Sequence, residues 1–275
     1  MLQLTPELVK KYIPNTLIEV DGEQSLFDKL LPFFDSAVLL LTGIVGDMDC
    51  MAEEHKDILL HACVKKAFAT AIPSLDIVVT PTGFGVVSTN TIAPASKDRV
   101  SRLIDSLHHE AAELLIQFID VARTYPEWRE SAHGKRFCLT FLTLRDAVTL
   151  DPSCAANCSL LCDTYFRLAG IALRFESALA ENYLGCEVMT RLKADTSQLT
   201  TLHSQLKTCE IAYIRRHIDG DPYRCPDSHE LWHYARLILA ELRFYRDIYR
   251  LWQDTMAQKF KPQPFKNKTP GAFCF

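Results

Sequence analysis

The sequence predicts an all-α protein made of two tandem helical-bundle repeats, with one β-hairpin inserted into the first repeat. Apolar residues recur at steps of three and four over most of the chain, which is the spacing of an amphipathic helix. Short motifs of the first half return in the same order in the second half. Only 10 of the 275 residues are glycine, which disfavours an all-β sandwich with many tight turns.

The composition is that of a folded globular protein. Apolar residues make up 48% of the chain and charged residues 23%, and the formal net charge of −4 predicts no global attraction to nucleic acid or to an anionic membrane. The first residues lack the basic and apolar regions of a signal peptide, and the longest apolar run, Ala37 to Val45, is about half of a membrane span. We therefore expect a soluble chain made in a reducing cytoplasm, whose ten cysteines do not form a disulfide framework.

Three helices are predicted in the first half. The first covers residues 25–42 and opens with a pattern similar to a capping box, and the second covers 48–72. The third begins at Ser96 and ends before Pro126, because the residue before a proline is pushed out of the helical region.

A β-hairpin is predicted near residues 77–88. The β-branched run Ile77-Val-Val-Thr80 and the run Phe84-Gly-Val-Val-Ser88 flank the short turn sequence Pro81-Thr-Gly83. A Gly-rich phosphate-binding loop is the other interpretation of this stretch, but the third glycine and the Lys-Ser/Thr pair of such loops are missing. The pattern therefore favours the hairpin.

The second half is predicted to contain three long helices, over residues 154–184, 187–218 and 227–259. The apolar stripe of the last one repeats about every 3.5 residues, which suits packing along another helix. An extended basic and apolar tail, residues 261–275, follows it.

The two halves resemble two copies of one unit. Leu4-Thr5 is followed by Pro14 at the same distance as Leu142-Thr143 is followed by Pro152. Other pairs in the same order are Phe34-Asp-Ser-Ala37 with Phe175-Glu-Ser-Ala178, Gly46 with Gly185, Cys63 with Cys209, Ile72 with Ile218, and Pro94-Ala-Ser96 with Pro226-Asp-Ser228. We therefore predict repeat 1 over 1–134, with the hairpin, and repeat 2 over 135–260, in which the turn Asp219-Gly-Asp-Pro222 replaces the hairpin. A repeated helical unit favours an assembly role, since a catalytic site rarely survives in both copies.

One motif could carry catalysis. His229-Glu230-Leu231-Trp232-His233 has the H-E-x-x-H spacing of zinc peptidases, in which two histidines one turn apart bind zinc and the glutamate acts as base. Asp227 and Glu230 also form a capping pattern, which predicts that Glu230 points back at the helix start. No well-spaced third ligand follows, so a solvated helix start is favoured and a zinc metallopeptidase is kept as the alternative.

The remaining candidates favour structural roles. Cys154, Cys158 and Cys162 recur every four residues and form one helix stripe, which is typical of a buried core and unlike an iron–sulfur motif. No catalytic residue, cofactor or metal site is therefore assigned, and we expect that the chain is not an enzyme. The lysines of the tail, with Lys259 before them, could make a weak DNA contact, but such segments more often dock a partner.

Two N-terminal stretches resemble phage proteins. Leu2–Ile13, with the acidic Asp21-Gly-Glu23 after it, resembles the start of phage head–tail connector (adaptor) proteins. Thr82–Val100 resembles uncharacterised prophage proteins of gut anaerobes that are encoded among virion genes. The resemblance implies a virion protein, assembled in the host cytoplasm, that forms a ring between the portal and the tail or neck proteins without catalysis. Connectors usually hold one short helical unit, whereas this chain has two in our interpretation. A cytosolic helical adaptor protein is a further alternative.

The hairpin and the tail are predicted to bind partners. The hairpin carries more apolar surface than a two-stranded ribbon can bury alone. The Pro/Lys segment of the tail has too little apolar area to offset its ordering entropy, so we expect a partner to hold it, with the terminal phenylalanines as aromatic anchors. The predicted partner-binding residues are Val79, Phe84 and Val86 in the hairpin and Lys261, Phe265, Lys266, Phe273 and Phe275 in the tail.

Overall fold

The computed structural model describes residues 4–13, 26–75, 78–80, 83–85, 97–194, 199–220 and 226–259. Within these ranges the chain is almost entirely helical, which confirms the all-α prediction. The helices are α1 (Pro6–Tyr12), α2 (Leu26–Val45), α3 (Glu53–Leu75), α4 (Lys97–Ala122), α5 (Pro126–Glu130), α6 (Ala132–Phe137), α7 (Leu144–Leu150), α8 (Cys158–Leu179), α9 (Cys186–Ala194), α10 (Thr200–His217), α11 (Ser228–Leu242) and α12 (Arg246–Lys259).

Short non-α elements complete the described structure. A 3₁₀ turn, Pro152–Ala156, precedes α8, and a π-helical turn, Ala180–Leu184, follows it. Two three-residue strands, β1 (Val78–Thr80) and β2 (Gly83–Gly85), pair antiparallel within the range predicted for the hairpin.

The chain divides into two compact units, Met1–Gly170 and Ile171–Phe275. The predicted repeat boundary near residue 135 therefore falls inside the first unit. Contacts across that position explain the difference. Arg123, just after α4, donates to the carbonyl of Leu142 over 2.7 Å, and the buried Trp128 ring of α5 stacks on Phe137 of α6 with centroids 6.1 Å apart.

Helix α3 forms the centre of the first unit, where it packs against α1, α2 and α4. Small side chains let its neighbours approach closely, and Cys63 and Ala71 are fully buried. By length and composition alone α3 is apolar enough to cross a membrane, and it is the one such helix among the described residues. Half of its apolar window is buried inside the fold, as is typical of a core helix.

An aromatic cluster forms the core of the second unit. Phe175 of α8 stacks on Tyr213 of α10 with ring centroids 4.8 Å apart, and it meets Tyr234 of α11 edge-on at 5.2 Å. All three rings are buried, so α8, α10 and α11 meet around them.

The prediction of one continuous helix over 187–218 and another over 227–259 is wrong. In place of the first the structure has α9 and α10, with residues 195–198 outside the described ranges. In place of the second the chain turns after α11, where Phe244 N bonds to Glu241 O and Tyr245 N to Leu242 O before α12 begins. The turn redirects α12 so that Trp252 reaches Tyr183, and this tertiary contact outweighs the continuous apolar stripe.

Candidate interaction surfaces

The structure describes two of the predicted partner-binding residues. Val79 and Phe84 lie directly opposite each other in the β1–β2 pair. Val86, Lys261, Phe265, Lys266, Phe273 and Phe275 lie outside the described residues. Lys259, the last residue of α12, donates to the carbonyl of Glu181 and is exposed.

The H-E-x-x-H motif opens α11, and its glutamate is engaged elsewhere. Asp227 caps the helix as predicted, because its Oδ1 accepts from the N–H of His229 over 2.9 Å. Glu230, however, does not point back at the helix start. Its carboxylate lies 3.1 Å from His217 Nε2 and 3.5 Å from Arg216 of α10. Two basic groups on the facing helix attract this carboxylate more strongly than its own helix start does.

The two histidines of the motif lie on the exposed side of α11. His229 and His233 are both solvent-exposed, whereas Glu230 is mostly buried against α10. Across the described ranges no three His, Cys, Asp or Glu side chains are grouped so that they could hold a metal ion. This geometry does not favour the zinc metallopeptidase alternative.

The exposed side of α11 is also apolar. Trp232 is 48% exposed, Leu237 41%, and Phe244 in the following turn 80%. Trp232 and Leu237 lie on either flank of the buried side of the helix, which carries Leu231 and Ile238, and we call these three exposed residues the outer face of α11. Exposed apolar patches of this kind mark protein–protein contacts. Within α11, the apolar stripe used to predict the helix contains only buried positions, so this face was not predicted.

The three cysteines are part of the core, as predicted, but they do not share one helix, because Cys154 lies in the 3₁₀ turn before α8. Cys154, Cys158 and Cys162 are all buried. Burial raises the pKa of Cys158 to about 11 and that of Cys162 to about 12. Their thiols therefore stay protonated near neutral pH. Every cysteine in the described part of the chain is a free thiol.

Helix α1 is held on α3 by a polar contact. The Tyr12 hydroxyl donates to Asp57, Lys11 Nζ donates to Asp57 over 2.8 Å, and the Tyr12 ring stacks on His61 with centroids 4.1 Å apart. Burial lowers the pKa of His61, and nearby Lys65 lowers it further. Burial likewise lowers the pKa of His108 on α4.

A junction of helix, glycine and tryptophan follows α2. Gly46 has a φ of 75°, so it ends α2 in the left-handed region that favours glycine. Trp128 Nε1 donates to the carbonyl of Val45, one residue earlier, over 2.9 Å. A Cβ on Gly46 would lie 2.6 Å from Cγ of His133, so a later helix, α6, packs directly on this glycine.

The same kind of junction follows α8 in the second unit. Gly185 has a φ of 89° and ends the π-helical turn. Trp252 Nε1 of α12 donates to the carbonyl of Tyr183 over 2.8 Å. A Cβ on Gly185 would lie 2.6 Å from Cγ2 of Thr255, so α12 packs directly on this glycine. In both units a later tryptophan therefore donates to a carbonyl just before a left-handed glycine, one residue before it in the first unit and two residues before it in the second.

Comparison with known proteins gives one match. Residues 14–138 are similar to a protein family described as a family of unknown function (DUF6712), and this match covers less than half of the chain. No curated protein and no solved structure matches.

Proposed function

We propose that the chain is a non-enzymatic virion structural protein, a head–tail connector subunit of two helical repeats that self-associates into a ring. The recurrence of the glycine–tryptophan junction in both units is the observation that carries this proposal. A left-handed glycine alone is common at helix ends, but its combination with an indole donor and a helix packed on the glycine recurs in both units, as a duplication would give.

Two further local similarities support duplication. Thr5 caps α1 and Thr143 caps α7, both helices have seven residues, and both stop before a proline with similar backbone angles. These angles are φ −132° and ψ 78° at Ile13, and φ −140° and ψ 88° at Asp151.

The ends of α4 and α11 are also alike. Thr124 N bonds to Val121 O over 2.9 Å, and Phe244 N bonds to Glu241 O over 3.0 Å. The next residue is a tyrosine in both cases. Its backbone N–H donates to the carbonyl of the last residue of the preceding helix, Tyr125 to Ala122 and Tyr245 to Leu242. The family match ends at residue 138, close to the proposed end of repeat 1 at 134. In this interpretation the β1–β2 pair is an insertion in repeat 1.

Assembly also explains why α11 and the turn after it expose large apolar side chains. The outer face of α11 exposes three large apolar side chains, and such a face is stabilised when a partner covers it. The N-terminal stretch resembles phage head–tail connector proteins, which implies assembly in a virion. Portal and tail or neck proteins are therefore the proposed partners. The tail lysines would add a weak DNA contact.

Purified virions test this function. Particles released by the cells that encode the chain should contain its tryptic peptides at a fixed ratio to the major capsid protein, after nuclease and density-gradient purification. A cytosolic helical adaptor would stay in the host lysate and be absent from the particles, which would contradict the proposal. Metal analysis of the same protein should find no zinc; stoichiometric zinc that is lost on His233→Ala would favour the metallopeptidase.

A further inference from the structure

An open groove lies between the exposed side of α2 and the loop that leads to α3. Its volume is about 560 Å³, and Val38, Leu39 and Met48 supply apolar walls. Leu39 is 76% exposed although it sits mid-helix, so its side chain has no cover within the described part of the chain. An exposed leucine that lines a groove is typical of a site for a partner's apolar side chain.

The rim of this groove is acidic. Asp35, Asp47, Asp49 and Glu53 all line it, and Lys56 is the one basic residue among the lining residues. Lys56 Nζ lies 2.9 Å from Glu53, so that pair largely neutralises itself. The three aspartates leave the groove with an excess of negative charge. A complementary occupant therefore carries basic residues next to apolar ones.

The tail of this chain has that composition. Residues 261–275 hold the lysines 261, 266 and 268 and the phenylalanines 265, 273 and 275, without any acidic side chain. The aromatic Phe265 is flanked directly by Lys266, which matches an apolar groove inside an acidic rim. Prolines at 262, 264 and 270 lower the conformational entropy that such a segment loses on binding.

We propose that the groove binds the tail of a second copy of the chain. This inference deepens the proposed ring assembly by naming one of its contacts, and so it rests on that proposal. A tail that enters a neighbour's groove is a head-to-tail contact, because the two surfaces differ. Contacts of this type close into rings when the rotation between copies allows it. The tail–groove contact thus links each copy to the next.

Photo-crosslinking in the full-length protein tests the contact. Phe265→p-benzoylphenylalanine is introduced, and equal amounts of ¹⁵N-labelled and unlabelled protein are mixed, assembled and irradiated. We expect crosslinks from position 265 to α2 or to the loop after it, with half of the crosslinked peptide pairs carrying mixed isotopes. Crosslinks that never mix isotopes would overturn docking between copies.

Charge reversal gives a second measurement on the full chain. Asp35→Lys with Asp49→Lys should weaken self-association about tenfold or more in sedimentation experiments, since both carboxylates then repel the tail. Leu39→Asn should weaken it as well without lowering stability, because Leu39 is already exposed. The matched control, Asp105→Lys with Asp163→Lys on exposed positions of α4 and α8, should assemble like the wild type.

The outcomes separate this inference from the proposed function. A multimer whose crosslinks from position 265 map away from the groove, or that tolerates the Asp35 and Asp49 reversal, would refute the tail–groove contact and leave the assembly standing. A full-length protein that stays monomeric would refute both.

Discussion

Substitution of Gly46, which ends α2, tests whether α6 packs on this position as the structure shows. Gly46→Ala puts a side chain on a residue with φ 75°, which costs about 1–2 kcal/mol for an L-residue. The new Cβ also meets the His133 ring, 2.6 Å from its Cγ, and displacement of packed atoms costs about 1–3 kcal/mol. We expect the first unit to lose roughly 2–4 kcal/mol of unfolding free energy, after the small gain from a stiffer unfolded chain.

A double-mutant cycle isolates the steric part. In a His133→Ala background Gly46→Ala should cost only about 1–2 kcal/mol, because the clash is gone and the backbone strain stays. Hydrogen exchange of first-unit peptides in rising urea measures the local free energy in all four proteins. A cost below about 0.5 kcal/mol, or an equal cost in both backgrounds, would refute the packing of α6 on Gly46.

Three further predictions address pH, thiol chemistry and the tail. Because the folded state lowers the pKa of His61 and His108, the unfolded chain binds more protons than the folded chain near and below about pH 6.5. The urea concentration at the unfolding midpoint should therefore fall as the pH is lowered from about 7 to about 5.5, and a midpoint that rises over this range would contradict the prediction. Iodoacetamide near neutral pH should label exposed Cys50 rapidly and buried Cys158 only on unfolding, as peptide mass spectrometry can measure; equal labelling would show that Cys158 is accessible. Removal of residues 261–275 should leave the helical circular dichroism signal intact and abolish assembly, and a truncated chain that unfolds or assembles normally would exclude the tail as the partner-binding segment.

The sequence predicted helices wherever local signals agree with the fold. Pro126 marks the end of α4 correctly to within a few residues, and Asp227 marks the start of α11. The turn between α11 and α12 has neither glycine nor proline, and Arg246 begins α12 where Pro126 begins α5. Tertiary contacts of α12, such as the bond from Trp252 to Tyr183 and the packing of Thr255 on Gly185, favour two helices over one, and the apolar period of the sequence does not predict these contacts.

The interaction surfaces were predictable in part. The exposure of Trp232 and Leu237 agrees with the helical period, because each lies about 100° around α11 from the buried Leu231 or Ile238, whereas Phe244 lies in the turn after the helix and no periodicity predicts its exposure. The partner of Glu230 could not be predicted, because Arg216 and His217 approach it only through the packing of α10 on α11. The groove beside Leu39 likewise depends on how the loop after α2 folds back.

The mass of the assembled protein tests the central claim most directly. Native mass spectrometry of the full-length chain, combined with negative-stain images of the same sample, gives copy number and closure together. The account predicts a discrete mass at an integral multiple of 31.2 kDa and ring-shaped particles with rotational symmetry. A single species at 31.2 kDa at every concentration, or open chains of varying length, would contradict it.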